Sequence, residues 1–125
     1  MSWNKICQDI LVDPKNKQIS YLAIADRRCK WGEAGSRNAK GKVSVNEVAM
    51  QDEKPDIGCT FGGQKYLYIN ECEPGLYAYR KGGTSAAVMK VKSASVIAIG
   101  HDGTSIQECT TIVHKLKSYV EQALK

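Results

Sequence analysis

Cys109, His101 and His114 are the residues of this 125-residue chain from which a nucleophile and its base could be assembled. His114 stands five residues beyond Cys109 on what reads as a single helix, off the i+4 position that would face it, and no supporting acid stands nearby in sequence. His101-Asp102 reads as a loop, and the remaining carboxylates are too scattered to form a paired-acid constellation. The sequence therefore does not predict an enzyme. Cys7, Cys29, Cys59, Cys72 and Cys109 form no C-x-x-C pair and lie far from any zinc-type histidine spacing. They read as reduced thiols, packed as small apolar residues, with no metal or cofactor implied. Gly82-Gly83 lies between two strand-like runs, so it fits a hairpin turn using positive-φ residues and not a phosphate loop, which runs from a strand into a helix.

The two tryptophans pose a different question. Trp3, in "MSWNKICQDIL", stands at a chain start, where backbones usually fray. A structural reading places both Trp3 and Trp31 in the core. A functional reading exposes an aromatic surface that needs elements to hold it.

Those elements are legible in the periodicity. Ser2 caps a helix with Trp3, Ile6, Cys7, Ile10 and Leu11 on one stripe, stopped by Asp13-Pro14. "ISYLAIAD" reads as a strand covered on both faces and "RRCKW" as a second short strand, followed by an exposed loop from Gly32 to Lys42. Ser44 and Glu47 form a capping box for a short helix that ends at Lys54-Pro55. "KYLYIN", "LYAYR", "AAVMKV" and "SVIAIG", separated by short turns, form a four-stranded antiparallel meander. A second capping box, Ser105 with Glu108, opens a long amphipathic helix through Leu124. The expected fold is α+β: one domain, 1–125, with a central antiparallel sheet of about six or seven strands. The terminal helices pack together on one face and the short helix on the other.

Composition sets bounds on partners. The chain is 42% hydrophobic with no apolar run near the ~20 residues of a membrane span, and Asp9, Asp13 and Lys15 interrupt any leader-like stretch, so a cytoplasmic protein is expected. Eighteen Lys and Arg against thirteen Asp and Glu give a net charge of +5, which favours anionic partners. The basic residues are dispersed and no nucleic-acid motif accompanies them, so nucleic acid is not an expected partner.

Five stretches, in order, resemble the profilin family: "MSW", the Trp of "RRCKW", "FGGQKYLYI", "LYAYRKGGTSAAVMKV" and "QECTTIVHKLKSYV". The resemblance covers nearly the whole chain and departs from the family between Gly32 and Gly58, which is shorter than in familiar animal and plant members. It implies a cytoplasmic, cytoskeleton-associated protein that binds monomeric actin on one surface and proline-rich sequences on another. It also implies phosphoinositide binding, common in the family, although no pocket is defined. The aromatic groove of the family maps onto Trp3, Ile6, Trp31, Leu116 and Tyr119. Ile6 replaces a frequent Tyr and Lys115 a His of some animal members, which implies weaker or differently selective proline-rich binding. The actin-facing residues map onto Lys65, Arg80, Lys81, His101, Gln107 and Thr111, with a solvated basic face as the alternative. A sheet-and-helix scaffold or phosphoinositide-binding module without actin activity is the competing functional reading.

Overall fold

The computed structural model describes residues 3–26, 30–35, 58–61, 64–91, 94–101 and 103–123. Helix α1 (Trp3–Val12) leads through a 3-10 turn (Pro14–Asn16) into β1 (Ile19–Ala25) and β2 (Lys30–Gly35). Strands β3 (Gly58–Phe61), β4 (Gln64–Glu73), β5 (Leu76–Lys81), β6 (Thr84–Val91) and β7 (Ala94–Gly100) follow, and the chain closes with α2 (Ile106–Ala123).

The strands form one seven-stranded sheet in the order β2-β1-β7-β6-β5-β4-β3, with every neighbouring pair antiparallel. β1 and β7 pair in the interior of the sheet, Leu22 opposite Ala98 and Ile24 opposite Val96, joining the two ends of the chain. β7 is buried along its whole length, which accounts for "SVIAIG" being apolar at nearly every position instead of alternating.

Alternation divides the sheet into two cores. Leu22, Ile24, Leu76, Ala87, Met89, Val96 and Ala98 point to the face covered by α1 and α2. Tyr21, Ala23, Tyr66, Tyr79, Val88, Ile97 and Ile99 point to the other. The short helix expected over residues 44–54 on that second face lies outside the described residues, as does the Ser44/Glu47 box. α1 packs on β2 and β1, and α2 on β6, β7 and β5, so both terminal helices share one face as expected.

Local chemistry sets the helix ends. Asp13 caps the 3-10 turn, its carboxylate accepting from the Lys15 N–H at 2.9 Å, and the buried Asn16 amide donates to the Ile10 carbonyl at 2.9 Å, closing the end of α1. At α2 the capping box forms in both directions: Glu108 N–H donates to Ser105 Oγ at 3.2 Å and Ser105 N–H to the Glu108 carboxylate at 3.3 Å. Cys109, Ile112, Val113, Leu116 and Val120 then bury their side chains against the sheet. At roughly 1.5–3 kcal/mol for a fully buried aliphatic side chain, this packing and not intrinsic propensity holds the helix in place.

Two local expectations are corrected. β2 runs on from Lys30 to Gly35 through the segment read as an exposed loop from Gly32, paired with β1 from Tyr21–Gly35 to Ala25–Lys30. The meander also has a fifth strand, β3, pairing with β4 from Gly58–Leu67 to Phe61–Gln64.

Candidate functional site

Trp3 is held by its neighbours despite its place at the chain start. Its ring lies 5.7 Å from that of Trp31, centroid to centroid and tilted by 41°, within the range of favourable aromatic pairs. A Cβ on Gly32 would come within 2.5 Å of the Trp3 carbonyl carbon, so glycine is what lets α1 sit this close to β2. One residue along, Asn4 Oδ1 accepts the Glu33 backbone N–H at 2.9 Å. The helix is thereby fixed on the outer strand β2, and both indoles are half-buried against the core with part of each ring at the surface.

The two indole N–H groups differ. Trp31 Nε1 donates to Asp26 at 2.9 Å, which fixes its ring and occupies its donor. Trp3 Nε1 has no hydrogen-bond partner among the described residues and is not sealed from solvent. It remains available to a ligand carbonyl.

The platform continues one turn along α1 to Ile6, which lines an open furrow of about 260 Å³ between α1 and α2 together with Asp9, Ile10, Asp13, Asn16, Lys115 and Tyr119. Tyr119 is 42% exposed. Leu116, placed in the groove by the family resemblance, is fully buried. It offers no surface to a ligand, because it lies on the same buried helical stripe as Ile112, Val113 and Val120.

A second surface lies toward the other edge of the sheet. Leu67 on β4 pairs with Arg80 on β5, and Lys65 lies two residues from Leu67, so these three side chains share a face. It is the face on which Leu76 is buried beneath the helices. Lys65, Arg80 and Lys81 are exposed, as are the apolar Leu67 at 56% and Ile69 at 48%. Irregularities in the β4–β5 register between Tyr68 and Asn70 and between Glu71 and Glu73 re-aim this part of β4.

The turn after Lys81 carries Gly82 at φ 57°, as the hairpin reading requires. Gly103 N–H donates to the Gly83 carbonyl at 2.8 Å, which brings the loop bearing the exposed His101 against this turn. Thr104 secures the same loop, donating to the Gln18 carbonyl at 2.9 Å while its own carbonyl accepts from Ser85 Oγ at 2.8 Å. Gln107 and Thr111 are exposed one turn apart on α2, but Thr111 borders a cleft with Lys15, Gln18 and Glu108, on the side facing the 3-10 turn. The structure does not bring it against the β4–β5 patch. On α2, His114 reaches β4, its ring pairing with the Glu73 carboxylate.

Sequence reasoning missed Leu67, Ile69 and His114. "KYLYIN" reads as a strand of the meander, but its place near the sheet edge, which exposes Leu67 and Ile69, is tertiary information.

Among the described residues, Cys7, Cys72 and Cys109 are free thiols. Cys7 and Cys109 are fully buried, and burial pushes each thiol up to about 12, with Glu33 and Glu108 respectively adding to the shift. Cys109 Sγ contacts the Ser85 carbonyl at 3.4 Å instead of a histidine. Cys72 is exposed, unlike the packed thiol expected there, and partial desolvation, then Glu73, raise its pKa as well. Among the described residues no group of His, Cys, Asp and Glu could hold a metal ion, and no helix is long and apolar enough to cross a membrane.

An antiparallel sheet with both terminal helices on one face and a tryptophan pair beside them defines a small class of α+β domains, and comparison with known proteins specifies it. The profilin family model matches residues 1–124, and the chain belongs to the profilin family. Its fold is similar to that of Schizosaccharomyces pombe profilin, with a TM-score of 0.76 at 19% identity over 98% of both chains. Acanthamoeba castellanii profilin II gives 0.75 at 19% identity, over 95% of this chain and 96% of that one. Mouse profilin IIa, solved in complex with a double repeat from the FH1 domain of mDia1, gives 0.66 at 14% identity, over 95% and 99%. No curated protein sequence is significantly similar to the chain.

Proposed function

We propose that the protein binds monomeric actin and regulates its polymerisation, with a second site for proline-rich ligands, acting in the cytoplasm as part of the cytoskeletal machinery. The observation that carries the reading is the pairing of Trp3 with Trp31 at the surface, where Trp3 keeps a free N–H. A polyproline II chain presents flat rings and solvated carbonyls at little further entropic cost, and an aromatic plate with a free donor suits both. Ile6 and Tyr119 extend the plate.

The actin surface is the patch of Lys65, Leu67, Ile69 and Arg80, with Lys81 and His101 at its turn end and Gln107 on the adjoining helix. An apolar centre with a basic rim is the usual composition of a protein interface, and the rim charges act mainly on encounter rate and partner choice. No bound nucleotide, metal or covalent step is required. The protein works by occupying a face of the monomer and so delaying nucleation.

A polymerisation-lag assay with purified monomeric actin tests this. The unchanged protein lengthens the lag and Lys65→Glu with Arg80→Glu abolishes the effect, while both forms keep decaproline binding. No change in lag with either form, with decaproline still bound, rejects the actin half and leaves a phosphoinositide-binding module as the reading to pursue on vesicles.

A further inference from the structure

We propose that the furrow between α1 and α2 selects proline-rich segments bearing a lysine or arginine just beyond the proline run, with Asp9 and Asp13 as the anionic rim that receives it. The proposal rests on the polyproline reading of the Trp3/Trp31 platform. Three observations carry it. Ile6 packs against the same core as the two tryptophans and, one turn along α1 from Trp3, lines the furrow, so a ligand leaving the platform along α1 meets the furrow at an apolar residue. The furrow is open and, at about 260 Å³, falls below the roughly 300–1,000 Å³ of small-molecule pockets, so it suits an extended chain lying across it. Its α1 side presents two carboxylates, Asp9 on the helix and Asp13 at the cap of the 3-10 turn that follows it, against the single ammonium of Lys115 on the α2 wall.

The spacing fits. Asp9 lies six residues along α1 from Trp3, about 9 Å at 1.5 Å per residue, and Asp13 stands just past the last residue of the helix, at the cap of the 3-10 turn. A polyproline II chain advances ~3.1 Å per residue, so a ligand anchored on Trp3 comes level with Asp9 about three residues later, with Asp13 next along the furrow. Lys115 opposite repels a basic side chain from the α2 wall and directs it to the α1 wall. The Asp13 carboxylate is already oriented by the Lys15 N–H, so it needs little reorganisation. The local charge runs against that of the whole chain: at a net +5 the protein repels basic peptides in general, so a preference for one must arise locally.

The test titrates the intact protein and an Asp9→Asn, Asp13→Asn variant with three peptides: decaproline, decaproline followed by Lys-Arg-Lys, and a Gly-Ser chain with the same basic tail. Asn at position 13 keeps the acceptor for the Lys15 N–H. The expected result is that the basic-tailed proline peptide binds the intact protein about five- to twentyfold more tightly than decaproline, the scale of two exposed charge pairs. The advantage falls within twofold in the variant or in high salt, while decaproline binds both proteins equally and the Gly-Ser peptide binds neither. Equal affinity for tailed and untailed proline peptides overturns the selectivity and leaves the polyproline site standing. Comparable binding of the Gly-Ser peptide overturns it as general charge attraction. Failure of every proline peptide to bind folded protein overturns both readings.

Discussion

Gly32 shows how one missing side chain supports an aromatic site. The Cβ of Gly32→Ala would sit 2.5 Å from the Trp3 carbonyl carbon and 2.6 Å from its Cβ, and backbone cannot yield as a flexible side chain would. Overpacking of this kind costs about 1–3 kcal/mol. Gly32→Ala is therefore expected to lower the urea midpoint and to weaken decaproline binding together, as read by tryptophan fluorescence; a variant of unchanged stability and affinity would show that α1 does not rest on β2 as described. The buried thiols make a second residue-scale prediction. Cys7 and Cys109 are raised from 9.0 to about 12 in the folded chain, so the folded state holds their protons more tightly than the unfolded state. Their contribution to stability is complete below about pH 9 and is lost as pH rises toward 12, by about 1.4 kcal/mol per pH unit for each thiol. Chemical denaturation of the protein and of Cys109→Ala between pH 9 and 11 should show the slope reduced by about that amount in the variant. Identical slopes would mean that the Cys109 thiol ionises as readily folded as unfolded.

At the scale of elements, the reciprocal bonds of Ser105 and Glu108 start α2 where the chain leaves the His101 loop. Ser105→Ala is expected to cost about 1 kcal/mol in thermal or urea unfolding, and much of that cost should disappear in a Glu108→Ala background, because the two groups serve each other. Additive losses would show two independent contacts. That box and the stripe of α2 were readable in advance because helix caps and 3.6-residue periodicity are local signals. The hairpins from β4 to β7 were readable for the same reason. What was not readable depends on distant neighbours. Residues 32–35 look like a loop by composition, yet Gly32 and Gly35 lie in β2, where pairing with β1 and the nearness of Trp3 decide the conformation. β3 is four residues long, too short for its alternation to register. The aromatic platform was legible as a family pattern in Trp3, Trp31 and Tyr119. The same pattern includes Leu116, which its place on the stripe with Ile112 and Val120 buries. The His114–Glu73 pair joins α2 to β4 and has no local signature at all.

For the whole molecule, the sheet order sets the distance between the two proposed surfaces. Trp31 is on β2 and Lys65 and Leu67 are on β4, five strand spacings away in the order β2-β1-β7-β6-β5-β4. At 4.7–4.9 Å per spacing the separation is about 24 Å. Between them lie β1, β7, β6 and β5, and the side chains of the first three are almost all buried, a closely packed slab. Coupling between sites needs an element with two states that both ligands bias, and a continuous sheet of this kind supplies none. The protein should accordingly bind actin and a proline-rich chain at once and independently. Decaproline affinity measured with and without saturating monomeric actin should agree within about twofold, and Trp3→Ala with Arg80→Glu should be additive within ~0.5 kcal/mol for each ligand. A change of fivefold or more on adding actin, a coupling of about 1 kcal/mol, would reject independence and place a conformational link across the sheet. Independence would in turn let a single molecule hold a monomer on one edge while a proline-rich partner holds its other edge, which is the arrangement a delivery function requires.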